Sequence, residues 1–93
     1  MTPEEYEKAR REQGWQLADV ELKPGYYDPE HTHEVDGCAL IVTGELGITV
    51  DGVERIYGAG EDFEMPAGCA HAERVLGTQP MRFIAGIRPV DSR

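Results

Sequence analysis

The chain has no long apolar run. Nothing in its 93 residues approaches the roughly 18 consecutive apolar residues of a membrane-spanning helix, and no membrane partner is expected. The opening, MTPEEYEKARREQGW, has no apolar stretch behind its charges. That is not the pattern of a secretory signal, so a cytoplasmic location is expected. Cysteine is scarce: Cys38 and Cys69 allow at most one disulfide, too few for a crosslinked scaffold, and in a reducing compartment both are expected as thiols. Basic residues are outnumbered, 9 against 18 acidic, for a net charge of −9. A surface of that sign repels phosphate backbones, which argues against a nucleic-acid partner. There is no Gly-rich phosphate loop, no G-x-S-x-G and no Cys–His nucleophile pattern.

What is present begins with one convincing helix, PEEYEKARREQ. Thr2 can cap it, Pro3 suits its first position, and Glu5 completes a capping box with Thr2. Acidic residues fill its first turn and Arg10 and Arg11 its last, as the helix dipole favours. Gly14 stops it. Beyond Gly14, glycine and proline recur at short intervals between apolar or alternating runs: WQLADVEL, CALIV, LGITV, ERIY, DFEM, AERVL and MRFIAGI. Many short runs punctuated in this way predict antiparallel strands in a barrel or sandwich. Asp51-Gly52 is the two-residue turn of the clearest hairpin. The expected organisation is a helix over residues 1–14 and a single all-β domain over residues 15–93.

Histidine is also rare, and two of the three fall in one tripeptide of EHTHEVDGC. In a strand, residues i and i+2 share a face, so His31 and His33 project together if that stretch is extended. Neutral imidazoles so placed form a half-site for a divalent transition metal. The bland alternative is two solvated histidines beside a turn. Glu73 stands two residues beyond His71; it can orient an imidazole, act as a general base, or simply be a solvated carboxylate. Glu64, inside DFEMP, is an exposed acid or a pocket-lining one.

Gly25 precedes His31 in G-x5-H-x-H, and GEDFEMPAGCAH reads G-x5-P-x-G-x2-H with Gly60, Pro66, Gly68 and His71. The two patterns, in this order, resemble the two motifs of the cupin superfamily. The resemblance covers residues 25–71 and the strand that follows. It implies a small antiparallel β-barrel of the jelly-roll type with its metal inside, held by His31, His33 and His71. The metal would be divalent: iron, zinc, nickel, manganese or copper. The chain departs from the family where a glutamate usually follows H-x-H, since those positions hold Gly37 and Cys38; Val75 replaces the last asparagine of the second motif. Three arrangements stay open: three histidines plus water, Cys38 as a thiolate ligand, or Asp36 reaching in from a bulge. A barrel without metal is the fourth reading. The walls would come from Ala39, Leu40, Ile41 and Val42, with the inward pair unassigned. The function implied is a metalloenzyme acting on a small molecule, dioxygenase- or isomerase-like; the alternative is a non-enzymatic binding or sensing barrel. Cupins commonly dimerise, sometimes by exchanging N-terminal strands, and a homodimer is expected, with WQLADVEL a participant.

Overall fold

The computed structural model describes residues 1–93. One helix, α1 (Pro3–Glu12), precedes eight strands: β1 (Gln16–Leu22), β2 (Tyr27–His31), β3 (Asp36–Thr43), β4 (Glu45–Val50), β5 (Val53–Tyr57), β6 (Asp62–Met65), β7 (His71–Leu76) and β8 (Met81–Arg88). A short 3-10 turn, Val90–Ser92, closes the chain. The helix starts as its sequence dictates. The Thr2 hydroxyl accepts from the Glu5 amide at 3.1 Å, and the Glu5 carboxylate accepts from the Thr2 amide at 2.9 Å.

The strands form two four-stranded antiparallel sheets, β1-β8-β3-β6 and β2-β7-β4-β5. They face each other as a jelly roll without closing into a continuous barrel. The hairpin of β4 and β5 turns at Asp51 and Gly52, with φ of 51° and 77°, and Val50 pairs with Val53. Both turn residues are left-handed, the geometry that matches the twist of the flanking strands.

Two apolar clusters hold the layers. Between the sheets lie Ile41, Leu46, Ile48, Val75 and Met81, with Phe63, Met65 and Phe83 packed against them. On the other side of the first sheet, Tyr6 of α1 and Trp15 cover Cys38, Leu40 and Ile84. Strand β3 is therefore covered on both faces. This is why DGCALIVT reads as a near-continuous apolar run rather than an alternating one. The inward pair is now assigned: Ala39 and Ile41 face the second sheet, and Leu40 and Val42 the helix. The layers under α1 are close. A Cβ on Gly86 would stand 2.6 Å from the Cys38 sulfur and 2.7 Å from Leu17, so a larger residue there would have to displace one of these side chains.

Candidate metal centre

Strands β2 and β7 run side by side, and their pairing is irregular. Asp28 lies opposite Glu73, and His31 opposite His71. Three residues of β2 thus span what two residues of β7 span. That is a β-bulge, and Pro29, which has no amide to pair, sits within it. In a regular strand Asp28 and His31 would face opposite sides. The bulge turns both toward β7's row of His71 and Glu73. His33 lies just past the end of β2, where its carbonyl accepts from the Gly68 amide at 2.9 Å. That bond ties the two motif segments together.

The three imidazoles converge. One ring nitrogen from each of His31, His33 and His71 lies within 4.8 Å of the others. Ring centroids stand 4.4 to 5.4 Å apart. The main chain orients two of the rings. His31 Nδ1 meets the Pro29 carbonyl at 2.7 Å, and His71 Nδ1 meets the Cys69 carbonyl at 3.0 Å. A carbonyl only accepts, so each Nδ1 carries the hydrogen and each Nε2 presents a lone pair. This is the arrangement a metal-ligating histidine adopts. His31 Nε2 and His33 Nε2 lie 3.0 Å apart. Two nitrogens bound to one ion at about 2.1 Å and at right angles are separated by about 3.0 Å, so the pair fits a shared cation. His71 is buried and His31 half-buried, while His33 is exposed.

The other sequence-derived candidates separate. Cys38 is not brought to the histidines: its side chain points to the α1 side of β3, beneath Tyr6, and burial pushes its thiol up. Asp36 is not brought there either. Its carboxylate takes the Arg93 guanidinium at 2.6 and 2.7 Å and the Ala67 amide at 2.9 Å. Arg93 first, then the Ala67 amide, hold it well below the usual carboxylate range. Glu64 faces outward and pairs with Arg10. Cys69 lies in the turn before β7, and its sulfur meets only the Ala70 carbonyl. Glu73 does lie at the site: with Asp28 and His31 it forms a second group of converging donor atoms. Burial first, then Asp28 against the opposing pull of the imidazoles, leaves its carboxyl above the usual range. Asp28 was not picked out from sequence. Its one signal is Pro29, a proline inside an extended stretch.

A cavity of about 180 Å³ adjoins the histidines. His33, His71 and Glu73 form its polar side, and Phe63, Met65, Phe83 and Ile87 much of its apolar side. A larger cleft of about 290 Å³, lined by Trp15, Asp36, Arg88 and Arg93, holds none of the three histidines.

The fold has counterparts among solved structures. The chain is similar to an RmlC-like cupin from Shewanella frigidimarina, at 22% identity and TM-score 0.70, covering 82% of this chain and 67% of that one. It is similar to the DMSP lyase DddQ from Ruegeria pomeroyi, at 26% identity and TM-score 0.70, covering 82% of this chain and 39% of that one. It is also similar to the polyketide cyclase RemF from Streptomyces resistomycificus, at 25% identity and TM-score 0.70, covering 78% of this chain and 53% of that one. The chain spans 57% and 64% of two further similar structures, the cupin domain of Schizosaccharomyces pombe Cnp3 and a Streptococcus pyogenes protein. No curated protein sequence matches it. The family model described as a cupin domain matches residues 18–87, which is most of the two sheets and all three histidines: the chain belongs to the cupin family.

Proposed function

We propose that this chain is a small metal-dependent enzyme. One divalent transition-metal ion would be held by His31, His33 and His71, beside a cavity that takes a small molecule. The observation that carries this reading is the convergence of three imidazole nitrogens, two of them fixed as lone-pair donors by main-chain carbonyls. When bound, an ion there supplies Lewis acidity or dioxygen chemistry, the basis of the dioxygenase- or isomerase-like reaction proposed.

The chain's own residues do the rest. The Cys69 carbonyl keeps His71 Nε2 turned inward. Phe63, Met65, Phe83 and Ile87 offer contact to a hydrocarbon portion of the substrate. At about 180 Å³ the cavity is below the roughly 300 Å³ where pockets for drug-sized ligands begin. The substrate is therefore a small molecule, largely apolar, with an oxygen function at one end. Two similar structures are named for a lyase and for a polyketide cyclase, which supports small-molecule chemistry.

Elemental analysis of untagged protein tests the reading. We expect one transition-metal ion per chain, lost in His71→Ala. Oxygen uptake and product formation are then followed anaerobically and aerobically on catechols, thiols and diketones, with turnover expected to track metal content. A metal-free protein that binds a small molecule tightly would instead be a binding barrel.

A further inference from the structure

Asp28 and Glu73 face each other directly across β2 and β7. Like charges at opposed positions of an antiparallel pair repel. Neither has an arginine or lysine to balance it. The ion pairs of the molecule are Arg10 with Asp62 and Glu64, Arg74 with Glu54, and Arg93 with Asp36, while His31 turns only its Nε2 lone pair toward Asp28. Arg74 is next to Glu73 in sequence, but it points to the other face of the sheet and is committed to Glu54 at 2.6 and 2.8 Å. Asp28 has only the Tyr26 hydroxyl at 3.5 Å and His31 Nε2 at 3.6 Å. Two carboxylates that are half-buried, opposed and uncompensated destabilise the strand pair unless a cation joins them.

The available donor atoms say where that cation sits. His31 belongs to both converging groups, the three histidines and the Asp28–His31–Glu73 set. Its Nδ1 is held by the Pro29 carbonyl, so both groups must use the same Nε2. One lone pair serves one ion, and two separate ions are ruled out. His71 is 5% exposed, and its Nε2, unlike its Nδ1, has no hydrogen-bond partner in the protein. Glu73 lines the cavity with His33 and His71, and Asp28 does not.

We infer that the centre is mononuclear and that Glu73 is its oxygen ligand, with Asp28 behind it as a positioning residue that adds negative charge. This rests on the three-histidine reading above and gives the site a carboxylate from β7 rather than from β3, where Gly37 has no side chain to offer.

Chelator-stripped protein titrated with Co²⁺ by calorimetry and visible absorption tests the inference. Wild-type protein is expected to bind one Co²⁺ per chain with the weak visible bands of a five- or six-coordinate ion. Glu73→Gln is expected to bind about 10- to 100-fold more weakly and with altered bands. Asp28→Asn is expected to lose less affinity and keep the wild-type spectrum. Metal-free Glu73→Gln is expected to melt at or above the wild-type temperature, because it removes one of two opposed charges. Wild-type affinity and spectrum in Glu73→Gln would overturn the ligand assignment while leaving the histidine centre intact. Two ions per chain would overturn the mononuclear assignment. Failure of wild-type protein to bind Co²⁺ at all would overturn both this inference and the reading it rests on.

Discussion

At the scale of single residues, parity decides which side chains reach the centre. His31 and His33 were legible as a pair because a two-residue spacing has a fixed meaning in extended chain. Cys38 was not legible as an outsider. Ala39, Leu40, Ile41 and Val42 are all apolar, so the run has no period from which to read a face. Asp36 was equally opaque, because its partner Arg93 is 57 positions away. Two predictions belong here. The Asp36 carboxyl is depressed in the folded chain. Its contribution is therefore present above the ordinary carboxylate pKa and is lost as pH falls through the lower folded value. Asp36→Asn should melt lower near neutrality and show a flatter loss of stability in acid, measured by thermal melts across the acid range. Tyr6 is 1% exposed, and its hydroxyl has no hydrogen-bond partner of good geometry. Tyr6→Phe should change stability by less than about 1 kcal/mol. Tyr6→Ala should cost about 3–5 kcal/mol by denaturant unfolding.

At the scale of elements, α1 and the hairpin of β4 and β5 follow from local chemistry, and both were legible from a cap and a turn. The bulge in β2 was not. An extra residue leaves no mark in an alternation that histidine, aspartate and proline already blur. That one irregularity explains why Asp28 escaped notice. Turn chemistry makes a prediction of its own. Gly52 has φ of 77°, so Gly52→Ala should cost about 1–2 kcal/mol by chemical denaturation, with metal binding unchanged. Thr2→Ala should cost about 1 kcal/mol and reduce helix content by circular dichroism.

At the scale of the whole molecule, the first sheet is covered on both sides and the second on one. Tyr27 and Ile56, 63% and 52% exposed, stand in one row across the outer face of the second sheet. A second copy of the chain is the proposed cover. Light scattering should give twice the 10.3 kDa chain mass; a lone monomer would overturn it. Metal removal should lower the melting temperature and lower it further for variants with weakened cores. An ion at 100 times its dissociation constant contributes about 2.7 kcal/mol. The two apolar clusters also share a partition. Cys38 and Leu40 belong to the helix side of β3, while Ala39 and Ile41 belong to the other. Helix α1 touches none of the three imidazoles, yet it leans on the rear of the chamber beside them. Tightening or loosening that outer layer alters the shape offered to a guest molecule while leaving its anchoring ion alone.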